Sequence, residues 1–265
     1  MITAGVDIGS TAAKGILLGK NGEKPFILAQ AINRTGGDSV ETARKVMDDL
    51  LKQADIALEE VGYIVSTGYG RIMVPFANKN VTEISCHAKG SHFYFPGVRT
   101  ILDMGGQDCK AIRCNAKGKV TNFVMNDKCA AGAGRYMEVV AKLTDKPLED
   151  LGELSLQYEG EPSSISAVCV LFARGEILAL RRKNVNKNNI IAGASDSLVK
   201  RAVPLLKRVG VEPEFVVSGG IAKNIGVIKR VEDAVGQKAR IATEPQIVGA
   251  LGAALFAQQL LERKR

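Results

Sequence analysis

The 265-residue chain has no tryptophan, two histidines and an aromatic content of 5%. A stacking surface for single-stranded nucleic acid needs exposed rings beside basic side chains, and rings are scarce here. The excess of 36 Lys and Arg over 28 Asp and Glu therefore does not point to nucleic acid. Basic clusters such as Arg181-Arg182-Lys183 and Arg263-Lys264-Arg265 read as solvated helix faces or a docking surface for an acidic partner. No uncharged apolar run reaches the roughly 20 residues of a membrane span. The opening residues, MITAGVDIGS, carry no basic segment like that of an export signal, so the expected compartment is the cytoplasm. Five cysteines are present without a C-x-x-C pair. In a reducing compartment they point to metal or to nothing, and any metal site is assembled from distant segments or from two chains. The G-x-x-x-x-G-K-[ST] phosphate loop is absent as well.

What remains is 46% hydrophobic and 24% charged, an ordinary globular composition. The length suits two modest domains or one large one, burying about three quarters of the unfolded surface. An internal repeat supplies the division. Residues 4–18, AGVDIGSTAAKGILL, and residues 100–114, TILDMGGQDCKAIRC, each read as an apolar strand, an Asp, a Gly-rich turn and a returning strand. Asp7 and Lys14 are spaced as Asp103 and Lys110 are, and Gly9 corresponds to Gly105. A second pair, 61–71 and 213–223, reads as a buried strand ending in Ser, then a Gly-containing turn and a helix start. The interval between the two landmarks is longer in the second half, and the extra stretch is read as an insertion carrying Cys129 and Cys169. Apolar residues at helical spacing predict helices over 40–54, 192–209, 225–235 and 247–263. The small residues of the last, Gly249, Ala250, Gly252 and Ala253, are read as close packing.

The two turns carry the chemistry. Backbone N–H groups in a Gly-rich turn cradle anionic oxygens, and Gly9 and Gly105 let a phosphate approach the backbone. Ser10 and Thr11 add hydroxyls and Lys14 a point charge suited to phosphate. Asp7 and Asp103 are hard oxygen donors, and Mg²⁺ keeps several waters while touching one or two carboxylates. The repeat thus reads as a Mg-nucleotide clamp.

At this level the chain resembles a known superfamily. D-I-G-S-T-A-A-K, D-M-G-G-Q-D and V-V-S-G-G are similar to the phosphate-1, phosphate-2 and adenosine motifs of acetate kinases, sugar kinases, heat-shock chaperones and actin. More narrowly, S-T-G-Y-G-R (66–71), E-I-S-C-H-A-K-G (83–90), D-M-G-G-Q-D (103–108) and N-D-K-C-A-A-G-A-G-R (126–135) resemble the ATP-dependent activators of 2-hydroxyacyl-CoA dehydratases. The ATPase components of benzoyl-CoA reductases and the reductases of double-cubane cluster proteins share the pattern. The resemblance implies an α/β protein with two ribonuclease-H-like (actin-like ATPase) domains and a nucleotide cleft between them, one formed by 1–97 with 246–265 and the other by 98–245. It implies ATP and ADP with Mg²⁺, and a homodimer bridged by one 4Fe–4S cluster on Cys129 and Cys169 of each chain. A cluster takes four thiolates, which a two-fold axis makes from two. Asn126 or Asp127 is then read as an N-cap that places Cys129 in a first helical turn, where the dipole favours a thiolate.

The implied activity is ATP hydrolysis coupled to one-electron transfer, with reduced ferredoxin or flavodoxin as donor. The acceptor is a dehydratase, reductase or double-cubane cluster enzyme. Gly105, Gly106 and Gln107 belong to the second phosphate turn, with Asp103 and Gln107 the catalytic candidates and Gln107 the one to orient water. The resemblance further implies that Ser218, Gly219 and Gly220 line the adenosine pocket and that Glu176 remains near the nucleotide. The pattern departs at two places: Arg174 stands in Phe172-Ala173-Arg174-Gly175-Glu176 where relatives commonly carry an acid, and Ala133 where many carry Thr. Cys86, Cys109 and Cys114 read as small buried hydrophobes, and His87 and His92 as structural. A direct Cys86–His87 pair is not expected, since adjacent helical side chains diverge by about 100°. A small-molecule kinase and a non-catalytic nucleotide switch are the competing readings on the same fold.

Overall fold

A computed structural model of the chain describes residues 1–22, 24–126, 133–168 and 170–264. They form two compact units. The first comprises 1–98, 114–121 and 242–265, and the second 99–113 and 122–241.

The first unit is built on a sheet of β1 (Ile2–Ile8), β2 (Ala12–Asn21), β3 (Lys24–Arg34), β4 (Tyr63–Thr67) and β5 (Lys79–Asn80), in the order β3-β2-β1-β4-β5. β1 to β3 form an antiparallel meander, and β4 runs parallel to β1. A connection that returns parallel needs a crossover, which α1 (Ser39–Ala54) provides. Asp38 caps it by accepting from the N–H groups of Val40 and Glu41. Its apolar stripe, Ala43, Val46, Met47 and Leu50, packs on Val6, Ala13 and Leu17 of the sheet. α2 (Glu83–Tyr94) follows.

The second unit repeats the plan. Its strands are β6 (Thr100–Met104), β7 (Cys109–Cys114), β8 (Val120–Met125), β9 (Phe215–Ser218) and β10 (Ala239–Arg240), in the order β10-β9-β6-β7-β8. β7 is antiparallel and β9 parallel to β6, as β2 and β4 are to β1. Between β8 and β9 lie α3 (Ala133–Thr144), α4 (Leu151–Leu154), α5 (Val170–Arg182) and α6 (Lys187–Val209), where the first unit has α1 alone. The inserted stretch is therefore helical, and its buried faces, with Tyr136, Val140, Ile177, Ile190 and Leu198, join the core under Leu102 and Val217. α7 (Ile225–Val235) follows β9, capped by Asn224.

α8 (Val248–Glu262) returns to the first unit and lies against β1, β4 and α2. Its small residues have a steric reason. A side chain at Gly5 of β1 would meet the Ala250 carbonyl, and one at Gly252 the Cys86 carbonyl. The expected mixed α/β architecture of two repeated halves is the one observed. The predicted helices are present too, with 192–209 extended back to Lys187 and the last opened by a 3₁₀ turn at Pro245–Ile247. The first strand of the second repeat ends at Thr67 rather than at Ser66.

Candidate functional site

The spacing of Asp7 and Lys14 is a register. In the β1–β2 hairpin Asp7 lies directly opposite Lys14, and in the β6–β7 hairpin Asp103 lies opposite Lys110. Cross-strand neighbours on one face are within reach of each other. Lys14 Nζ is 2.8 Å from Asp7 Oδ2, and Lys110 Nζ is 3.5 Å from Asp103 Oδ2. Both carboxylates are buried, Asp7 to 4% exposure and Asp103 to 3%, which a charge tolerates only when paired.

The turn of the first hairpin is braced from outside it. Thr35 donates its N–H to Thr11 O at 2.9 Å and its hydroxyl to Gly9 O at 2.8 Å. Gly9 N–H in turn closes on Ala12 O at 3.1 Å. Lys14 folds back over this turn, with Nζ also 3.2 Å from Ala12 O. The Thr11 hydroxyl is buried without a hydrogen-bond partner, and Ser10 beside it is half-buried. A buried hydroxyl left in that state is costly, and an arriving phosphate oxygen would satisfy it.

The second turn is built differently. Gly105 N–H closes on Asp108 O at 2.9 Å, and Lys110 is gripped by Asp108 Oδ1 at 2.7 Å as well as by Asp103. Lys110, 4% exposed between two carboxylates, is thus part of the framework. The start of α3 docks on this turn: Gly134 N–H donates to Gly105 O and Arg135 N–H to Gly106 O, both at 2.9 Å. Gly134 permits the approach, since a Cβ there would lie 3.1 Å from Gly106 Cα. Gln107 sits at the tip of the turn, half-buried.

The third motif also closes on the aspartates. β9 pairs Ser218 with Asp103, and the Ser218 hydroxyl donates to Asp103 Oδ1 at 2.9 Å. Gly219 follows with φ +86°, and Gly68 after β4 with φ +83°, a region that L residues rarely adopt. A side chain at either would meet the neighbouring aspartate, Asp103 or Asp7. Gly220 opens a 3₁₀ turn to Lys223. The register makes Thr67, rather than Ser66, the counterpart of Ser218.

Other assignments fall elsewhere. Glu176 accepts from Ser166 N–H at 2.7 Å, which fastens it to the segment leading to Cys169. The Asn126 side chain accepts from Cys109 N–H at 2.7 Å, engaging it with β7. The described part of α3 begins at Ala133. Cys129, Cys169 and Asp127 lie outside the described residues. Cys86, Cys109 and Cys114 are buried singly, and burial pushes the Cys86 and Cys109 thiols up to about 12 each. Among the described residues no three of His, Cys, Asp and Glu gather into a metal cage, and no helix is long and apolar enough to cross a membrane.

Sequence reasoning missed three residues around these turns. Thr35 braces the first turn from the end of β3. Gly249 of α8 lies against Asp7, as a Cβ there would be 3.0 Å from Asp7 Oδ2, and His87 of α2 reaches the same glycine, with Nε2 3.0 Å from that position. The motif E-I-S-C-H-A-K-G was the available signal for His87, but nothing local connects it to residue 7.

Two aspartate turns of one design match a family model, that of the BadF/BadG/BcrA/BcrD ATPases, over residues 4–257. The chain belongs to this ATPase family. It is 40% identical over 264 residues, all of both chains, to the activator of lactoyl-CoA dehydratase of Anaerotignum propionicum. It is 30% identical to a component of the benzoyl-CoA reductase of Thauera aromatica, over 96% of this chain and 92% of that one. Among solved structures, the activator of the 2-hydroxyisocaproyl-CoA dehydratase from Clostridium difficile with bound ADPNP superimposes with a TM-score of 0.92 at 39% identity. The match spans 100% of this chain and 97% of that one. The family thus holds two of the three kinds of protein that the motifs resemble, the dehydratase activators and the benzoyl-CoA reductase component, on the actin-like ATPase fold.

Proposed function

We propose that this chain is an ATP-driven activator that passes single electrons to a partner metalloenzyme of the dehydratase, benzoyl-CoA reductase or double-cubane type. Reduced ferredoxin or flavodoxin is its donor and the cytoplasm its setting. The observation that carries the reading is the duplicated Asp–Lys hairpin within an ATPase family whose relatives are named as activators.

The nucleotide's phosphates take the backbone and hydroxyls of Gly9, Ser10 and Thr11, with Lys14 as their counter-charge. Lys14 is the lysine suited to this, being 15% exposed at its side chain against 5% for Lys110. Asp7 and Asp103 are the hard oxygen donors for the Mg²⁺ shell. Gly105 and Gly106 belong to the second phosphate turn, Gln107 orients the attacking water, and Ser218, Gly219 and Gly220 border the adenosine. Glu176 belongs to the nucleotide's surroundings by its place in the motif.

Cys86, Cys109 and Cys114 are buried and burial pushes the Cys86 and Cys109 thiols up, while the family resemblance assigns the cluster's thiolates to Cys129 and Cys169. A 4Fe–4S cluster held by this pair from each of two chains supplies one-electron chemistry. Val168, Leu171 and Phe172, at 82%, 75% and 65% exposure, surround Cys169 in sequence with apolar surface that a second copy would cover. Because Gly134 and Arg135 hold the second phosphate turn, any displacement of that turn by nucleotide is passed to α3, four residues beyond Cys129.

The test is an anaerobic preparation. Iron should count to about four per dimer, with Cys129→Ser and Cys169→Ser losing it and Cys86→Ser, Cys109→Ser and Cys114→Ser keeping it. ATP hydrolysis should fall in Asp7→Ala and Lys14→Ala. Full iron in Cys129→Ser would overturn the ligand assignment, and unchanged hydrolysis in both turn variants the nucleotide assignment.

A further inference from the structure

The stretch from Gln157 to Val168 crosses the second unit without forming a helix or a strand. Backbone polar groups in such a stretch take their partners from elsewhere, and one face of α6 supplies several of them. Asn189, Gly193 and Ser197 follow one another at intervals of four, which sets them in a row along the helix. The Asn189 amide donates to the carbonyls of Glu159 and Glu161 at 2.6 and 2.9 Å, and its backbone carbonyl accepts from Ser163 N–H at 3.0 Å. Gly193 lets the chain press onto the helix, since a Cβ there would run into the Ser163 carbonyl. Ser197, 1% exposed, donates its hydroxyl to Ser166 O at 2.8 Å.

Ser166 is where this row meets α5. Glu176 Oε2 accepts from Ser166 N–H at 2.7 Å, and Ser166 Oγ accepts from Val168 N–H at 3.2 Å. One residue is thus engaged at its N–H, its carbonyl and its hydroxyl, by α5, by α6 and by the chain that follows it. The bond to the carboxylate is the charge-assisted one of the three. Cys169 comes three residues after Ser166 and seven before Glu176, so it belongs to the loop of chain that this bond closes. Glu176, assigned to the nucleotide's surroundings by its motif, is therefore tied by this oxygen to a backbone group of the cysteine segment.

We propose that Glu176 and Ser197 are positioning residues for Cys169, gripping Ser166 at its N–H and its carbonyl so that the thiolate is presented from a fixed backbone. The proposal rests on the reading of Cys169 as a cluster ligand. Supporting contacts of this kind hold metal ligands in place and raise affinity. A segment without them must surrender conformational freedom when metal binds, which weakens retention. Loss of either grip should be felt in iron retention and in the reactivity of Cys169 without iron, and little in nucleotide affinity.

The experiment uses the full chain, prepared anaerobically, and follows iron content, iron removal by bipyridyl, Mg-ADP binding by calorimetry and thermal denaturation. Alkylation of the iron-free protein is read by mass spectrometry. Glu176→Ala should speed iron removal about tenfold, the weight of one hydrogen bond to a charged group, and Ser197→Ala about fivefold. In iron-free protein both should make Cys169 react faster by similar factors with Cys129 unchanged, while the Kd for Mg-ADP stays within about threefold. Glu176→Gln, whose amide oxygen can accept from the same N–H, should recover most of the loss. Ile177→Val, which trims the buried face of α5 and removes no hydrogen bond, should keep its iron as the wild type does. Wild-type rates of iron removal and Cys169 alkylation in Glu176→Ala would overturn the proposal. So would a Glu176→Gln protein as impaired as Glu176→Ala, which marks a role for the charge, or an Ile177→Val protein that loses iron as fast, which marks a general loosening of α5. Cys169→Ser separates the two layers. Full iron in that variant fells the cluster-ligand reading, whereas loss of its iron beside wild-type behaviour of the Glu176 and Ser197 variants fells only the present proposal.

Discussion

Ser218 and Thr67 hold equivalent register positions in the two sheets, yet their removal should have opposite consequences. Ser218 is fully buried, and its hydroxyl donates at 2.9 Å to Asp103, itself 3% exposed. Lys110 also approaches Asp103, at 3.5 Å, and is itself held at 2.7 Å by Asp108. Ser218→Ala removes this donor from a buried carboxylate, and a hydrogen bond to a charged group contributes about 1.5–3 kcal/mol. That corresponds to one to two orders of magnitude in the unfolding equilibrium, or a loss of about 3–10 °C in Tm for a unit of this size. Thr67→Val removes a buried hydroxyl that makes no hydrogen bond to Asp7, so its effect should stay within about 0.5 kcal/mol. Differential scanning calorimetry on nucleotide-free protein is the assay, because bound nucleotide would itself raise Tm. Equal losses in the two variants, or a Ser218→Ala protein as stable as wild type, would refute the argument that a different donor steadies each aspartate.

The remaining predictions concern the thiols and the contact of α3 with the second turn. With Cys86 and Cys109 at about 12, their thiolate fraction at pH 8 is about one in ten thousand, and a thiolate is what an alkylating reagent attacks. Native iron-free protein should therefore react at Cys129 and Cys169 and at the other three cysteines only after unfolding, a difference that mass spectrometry of alkylated peptides reads directly. Gly134→Val should push α3 off Gly105 and Gly106, weakening two hydrogen bonds of about 1 kcal/mol each. Urea denaturation should show the loss, and calorimetry a weaker Mg-ADP affinity. Gly134→Ala should be milder, because Ala favours the helix by about 1 kcal/mol over Gly.

The duplication explains an asymmetry between the lysines. Both sit opposite an aspartate in a hairpin, but a third carboxylate, Asp108, lies two residues before Lys110 and nothing acidic lies two before Lys14. The extra charge fastens Lys110 into the framework. Lys14 retains one carboxylate and a backbone carbonyl, and is the lysine on which the proposed phosphate site draws.

Much of this was legible in the residues themselves wherever the contact is local. The equal spacing of Asp7 and Lys14 and of Asp103 and Lys110 marked two hairpins of one design, whose register then proved to set each lysine opposite its aspartate. The helices over 40–54 and 225–235 followed from periodicity, because an amphipathic stripe has one way to meet a sheet. What brings Ser218 to Asp103, or Gly249 to Asp7, is different in kind. Those meetings depend on which strand lies parallel to β1 or β6 and on how closely α8 crosses α2, choices made by the whole core and expressed through glycines with no local signature. His87 read as structural because Cys86 beside it points elsewhere on the helix. The tertiary fold uses that divergence, burying Cys86 among Tyr63, Val65 and Ala253 and bringing His87 Nε2 to the space beside Gly249 of α8.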